Sequence, residues 1–122
     1  MEQRPGETPV RRYPRMAAEY AVSFRRSLPG GGLGEPEYSR TRTIGLGGLM
    51  FERETPLERG EALRLEVVLG DRTVAAAGNV VYVERRDGGP WQIGVQFTAL
   101  SEEDRDALLG AYLQREYRLP PD

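Results

Sequence analysis

Apolar and polar residues alternate with a period of two along most of this chain, and switch to a helical period only at its end. From Glu19 to Arg26, Tyr20, Val22 and Phe24 share one face, and Ala21, Ser23 and Arg25 share the other. That is the signature of a half-buried strand. Leu63, Leu65, Val67 and Leu69 alternate with Arg64, Glu66 and Val68; Trp91, Ile93, Val95 and Phe97 alternate with Gln92, Gly94 and Gln96. Val74 to Glu84 reads as one long strand, and Ala75, Ala76, Ala77 and Gly78 within it mark a bend or a close approach. Leu49 to Phe51 is a short apolar strand. Tyr38 to Ile44 is a further candidate, with Ser39, Thr41 and Thr43 on one face and Tyr38, Arg40, Arg42 and Ile44 on the other.

Turn chemistry separates these segments. Ser27 to Glu37 carries four glycines and two prolines and reads as a long connection. Pro56 to Gly60 is a turn. Gly70-Asp71 and Asp87-Gly88-Gly89-Pro90 close hairpins. Gly45, Gly47 and Gly48 interrupt the pattern before Leu49, where positive φ before a strand is the expected role of glycine. Beyond Leu100 the period changes. Ser101 to Asp104 forms a capping box with Asp in place of the commoner Glu. Leu108, Leu109, Tyr112 and Leu113 follow at helical spacing, with Leu108 and Tyr112 assigned to the core. Pro120 and Pro121 stop the helix, which is expected over residues 101–118. Six or seven strands with mostly short turns point to an antiparallel barrel or sandwich. Trp91 and Tyr82 read as packing residues of the core or its rim.

The chain has 122 residues, enough for one domain with a core of its own. Residues 1–10, with Pro5, Gly6 and Pro9, read as a flexible N-terminal tail, and residues 11–118 as the domain. There is no cysteine and no histidine. Zinc and iron–sulfur sites of the usual kinds, Cys or His nucleophiles and imidazole-based triads are therefore excluded. No apolar run approaches the roughly 20 residues that cross a bilayer. The polar N-terminus has no apolar signal core, so a cytoplasmic location without membrane insertion is expected.

All 17 basic residues are arginine. Each is a permanently charged planar fork that can grip phosphate bidentately or stack on a ring. Residues 1–45 hold eight arginines against five acids, whereas the whole chain carries a net charge of −2. An acidic chain with one local basic patch suits a small anion better than nucleic acid. The glycine cluster is not a Walker loop, because the chain lacks lysine. It is not a dinucleotide fingerprint either: from Gly45 the third small residue would fall at Met50, and no βαβ pattern surrounds it. No carboxylate pair recommends itself for acid–base work, so an enzyme is not expected.

Two constellations remain: Arg11-Arg12-Tyr13-Pro14-Arg15, and Thr43 to Phe51 with its glycines. Together with Gly94-Val95-Gln96-Phe97 and the Ser101-to-Tyr112 helix, they resemble the PilZ domain family over about residues 11–117. The family pattern is Arg-x-x-x-Arg, then Asp/Asn-x-Ser-x-x-Gly, a Gly-Val-x-Phe strand and a terminal helix. The resemblance implies an all-β fold, a six-stranded antiparallel (split) β-barrel with a C-terminal α-helix. It implies a bacterial second-messenger receptor that binds cyclic di-GMP without a further cofactor and signals through an effector protein. Arg11 and Arg15 match the first motif, with Arg12 between them. Thr43, Gly45 and Gly48 stand at the Asp/Asn, Ser and final Gly positions, and only Gly48 keeps the family identity. Each neutral ligand hydrogen bond lost at Thr43 or Gly45 would cost roughly 0.5–1.5 kcal/mol. The alternative implied by that departure is a protein-interaction module, of pilus or motility type, with lost or weakened nucleotide binding.

Overall fold

The computed structural model describes residues 15–117. Seven strands precede one helix: β1 (Arg15–Ala17), β2 (Ala21–Arg26), β3 (Glu37–Gly45), β4 (Gly48–Arg53), β5 (Ala62–Leu69), β6 (Arg72–Arg85), β7 (Trp91–Leu100) and α1 (Glu102–Tyr117). All pairings are antiparallel. Strands β3, β2, β5, β6, β7 and β4 pair in that order, and β4 returns to β3. The result is a closed six-stranded barrel, in agreement with the sequence reading. Among the described residues, closure leaves the barrel no open sheet edge except at the appended β1.

β1 and β2 lie end to end along the same edge of β3: Arg15 faces Gly45, and Phe24 faces Glu37. They are one strand broken at residues 18–20. Thr41, fully buried on β3, closes the break. Its hydroxyl donates to the Ala18 carbonyl at 2.6 Å and accepts the Tyr20 N–H at 2.9 Å. Its own N–H donates to the Tyr20 carbonyl at 2.9 Å. A buried polar group is tolerated when its hydrogen bonds are made, and here they fix the approach of β1 to the barrel.

The face assignment on β3 needs correction. Thr41 pairs with Phe51 and Thr43 with Met50, so Arg42 is an extra residue in the ladder. This bulge shifts the alternation by one. Thr41 and Ile44 both point inward and are fully buried. Thr43 instead joins Met50 on the outer face, since Leu49 and Phe51 on either side of Met50 fill the core. Strict alternation had placed Thr41 and Thr43 together.

Elsewhere the periodicity holds. Leu63, Leu65 and Val67 of β5 and Ile93 and Val95 of β7 are buried. Phe24 and Phe51 meet with ring centroids 4.8 Å apart, an aromatic contact across the interior. Gly70 and Gly88 take positive φ at the two hairpins, as does Asp87. Gly78 admits β7 closely: a β-carbon there would stand 2.8 Å from the Gln96 carbonyl oxygen.

Helix α1 packs against β1, β3, β5 and β6 and drives Leu108 into the core. Tyr112 is partly buried against it, whereas Leu109 is exposed. The capping box is half formed. Ser101 Oγ accepts the Asp104 N–H at 3.1 Å. The Asp104 carboxylate reaches across to β6. It accepts Arg72 Nη2 at 3.0 Å and the Ala75 N–H at 3.2 Å, tying the helix start to β6. Near the other end, Arg115 Nη2 donates to the Ala17 carbonyl at 3.2 Å. Among the described residues, no helix is long and apolar enough to cross a membrane.

Candidate functional site

The tight turn between β3 and β4 brings the first and second sequence constellations together. β1 sets Arg15 opposite Gly45 and Ala17 opposite Thr43. β4 starts at Gly48, opposite Gln96 of β7. The Gly47 carbonyl accepts the Phe97 N–H at 2.9 Å, which holds the turn against β7.

Gly48 is demanded by space. A β-carbon on it would stand 2.0 Å from the Val95 carbonyl oxygen and 3.1 Å from Arg15 Nη2. No side chain fits between those groups. The absent side chain lets β4 close on β7 and lets the Arg15 guanidinium lie over the backbone of the turn. The expectation of positive φ at Gly45, Gly47 and Gly48 is not met: the described positive-φ glycines are Gly30, Gly31, Gly32, Gly60, Gly70 and Gly88. Close approach is what requires Gly48.

Thr43 sits one step along the outer face, between Ala17 and Met50. Its hydroxyl oxygen is buried and has no hydrogen-bond partner. The side chain thus lies on the outer face with its oxygen closed off from solvent. Gly45 is buried as well and contributes only backbone. Arg11 and Arg12 lie outside the described residues. Of the six residues singled out in the sequence, Arg15, Gly45 and Gly48 meet at the turn, and Thr43 adjoins them.

The register adds two residues that sequence reasoning missed. Gly48 pairs with Gln96, and Gln96 pairs with Asn79. Both amides are exposed, and the neighbouring Val95 and Val80 are buried, so this row faces outward beside Arg15. An amide can both donate and accept. The alternation of β7 already set Gln96 on the outer face; only the β6–β7 register could add Asn79. In the next row Tyr82 lies over Gly94, its β-carbon 2.8 Å from where one on Gly94 would be. The Tyr82 hydroxyl donates to Glu84 Oε2 at 2.7 Å.

Arg15, Thr43, Gly45 and Gly48 line neither of two clefts of about 500 and 480 Å³ found elsewhere on the barrel. Among the described residues no group of three or more acids is placed to hold a metal ion. A guanidinium beside exposed amides and a side-chain-free turn can hold an anion that also carries hydrogen-bonding edges.

Comparison with known proteins bears on the fold and the family. The family described as PilZ domain matches residues 9–115. No curated protein is detectably similar in sequence. Among solved structures, the chain is similar to the inhibitor of motility MotI/DgrA of Bacillus subtilis, with a TM-score of 0.76 at 18% identity, over 93% of this chain and 54% of that one. It is similar to the PilZ domain of YcgR from Escherichia coli, solved with c-di-GMP, with a TM-score of 0.66 at 22% identity, over 88% and 94%. It is also similar to MrkH of K. pneumonia in its c-di-GMP complex, with a TM-score of 0.69 at 20% identity, over 91% and 54%. The chain thus spans about half the length of the motility inhibitor and of MrkH. At these identities the likeness establishes the fold.

Proposed function

Because this chain belongs to the PilZ family, we propose that it is a cyclic di-GMP receptor, not an enzyme, that acts in the cytoplasm through a separate effector protein. The observation that carries the reading is the seat of the Arg15 guanidinium over Gly48. Cyclic di-GMP presents two phosphates and two guanines. A guanidinium fork meets phosphate oxygens, or guanine O6 and N7, with two parallel bonds. Arg11 and Arg12 precede Arg15 in sequence and supply further forks to the same ligand. Gly45 and Gly48 keep the turn low enough for the ligand to lie on it. A nucleotide bound at the β3–β4 turn remodels the surface an effector reads.

Isothermal titration with cyclic di-GMP tests this. Saturable binding at micromolar protein is expected. No detectable heat, with the fold intact by circular dichroism, overturns the receptor assignment.

A second reading rests on one observation. The Thr43 hydroxyl is buried and Gly45 has no side chain, so the second motif turns no polar side chain toward a ligand at those two positions. A protein-interaction module with weakened or lost nucleotide binding fits that feature. The same titration separates the two readings.

A further inference from the structure

We propose that a cleft across the barrel from the β3–β4 turn docks an acidic segment of a partner protein. The cleft, of about 480 Å³, lies over β2, β5, β6 and the end of β7. Register fixes its central row: Arg25 faces Arg64, Arg64 faces Ala77, and Ala77 faces Ala99. Two cations therefore stand directly opposite each other on neighbouring strands, a pairing that destabilises a sheet.

No ion pair within the described residues relieves this. Arg26 pairs with Glu61, Arg53 with Glu37 and Arg72 with Asp104. Arg25 and Arg64 are exposed, and among the described residues neither has an acid or carbonyl partner. A broken local rule without internal compensation points to a role outside the fold.

The rest of the cleft defines the partner. Ala75, Ala77 and Ala99 form a floor with no side chain larger than a methyl group, and Leu33, 43% exposed, stands at its side. An acidic segment bearing an aliphatic residue matches all of it. Its carboxylates meet the two guanidinium forks, and its aliphatic side chain lies on the alanines beside Leu33. The chain as a whole is acidic, so this attraction is local. Glu66 occupies the next row, opposite Ser23 and Ala75, and limits the positive ground to the arginine row. Two cations beside a carboxylate are too few to track a nucleic-acid backbone. The proposal is independent of nucleotide binding, since no residue of the β3–β4 turn lines this cleft.

The test is fluorescence anisotropy of the full chain with a labelled octapeptide, Glu-Glu-Leu-Glu-Glu-Leu-Glu-Glu, against the same peptide with Lys for every Glu. The acidic peptide should bind and the basic one should not. R25E and R64E should each weaken binding about tenfold or more, and R15A should leave it unchanged. The melting temperature separates docking from folding. R25E replaces a like-charged cross-strand pair by an opposite one, so it should hold or raise the melting temperature while peptide affinity falls. No acidic-peptide binding, equal binding of the two peptides, or undiminished binding by both charge-reversal variants overturns the proposal.

Discussion

Arg15 Nη2 lies 3.1 Å from the point where a Gly48 β-carbon would stand, so the side chain of one residue occupies room the other leaves free. The sequence separates them by more than thirty positions. The β1–β3 ladder and the β3–β4 turn bring them together.

Gly48→Ala should damage both the fold and the site. The added methyl would fall 2.0 Å from the Val95 carbonyl oxygen, which is rigid backbone, so β4 must separate from β7. Overpacking of this kind costs about 1–3 kcal/mol, and more when backbone has to move. Urea denaturation should show that loss, and cyclic di-GMP affinity should fall with it. The control is Gly110→Ala on α1. Nothing lies within 4 Å of its added carbon. The better helix propensity of alanine should stabilise the protein by about 0.5–1 kcal/mol.

The two threonines of β3 should respond in opposite ways to loss of their hydroxyls. Thr41→Val leaves the Ala18 carbonyl and the Tyr20 N–H without their partner at the break between β1 and β2. Each buried unsatisfied group costs about 1–3 kcal/mol. Thr43→Val removes an oxygen that is buried and unbonded, and should leave stability unchanged or slightly higher. Paired thermal melts of the two variants check this. If cyclic di-GMP recruits the Thr43 hydroxyl, Thr43→Val will also weaken binding; equal affinity assigns that position to backbone contacts alone.

Acid should destabilise the protein through two carboxylates. The hydrogen bond from Arg72, then that from the Ala75 N–H, holds Asp104 below its ordinary value of 3.8. At Glu61 burial pushes the pKa up. The hydrogen bonds from Arg26 and from the Glu58 N–H outweigh it, so the group titrates below its ordinary value of 4.5. Both folded pKa values are lowered, so the unfolded chain takes up these protons first as pH falls. The stabilisation is complete above the ordinary values and is lost as pH falls through them toward the folded ones. Urea midpoints measured from neutral pH to below 3.8 should decline in that window. Asp104→Asn and Glu61→Gln should each flatten the decline.

Much of this barrel is legible in the sequence because its inward residues keep strict alternation on β2, β5 and β7. The hairpins are legible too, since Gly70 and Gly88 adopt the positive φ their turns require. β3 resisted for a physical reason. Its inward positions include Thr41, a polar residue that the core accepts because it bridges Ala18 and Tyr20. The Arg42 bulge then reverses the faces beyond it. Neither feature has a sequence signature. At the site, Arg15, Gly45 and Gly48 stood out as motif residues. The face that Thr43 takes depends on that bulge, and the Gln96–Asn79 row depends on register. Periodicity reports which residues share a face of one strand; it does not report which residues of different strands lie side by side.

Backbone amide chemical-shift mapping with cyclic di-GMP tests the central claim most directly, with the Arg15→Ala variant alongside. The account predicts shifts concentrated at Arg15, at Thr43 through Gly48 and at Gln96. It predicts an affinity about ten- to a hundredfold lower in the variant, as loss of a charged hydrogen-bond partner requires. Saturation with cyclic di-GMP that leaves those amides unmoved, or binding that Arg15→Ala does not weaken, would contradict it.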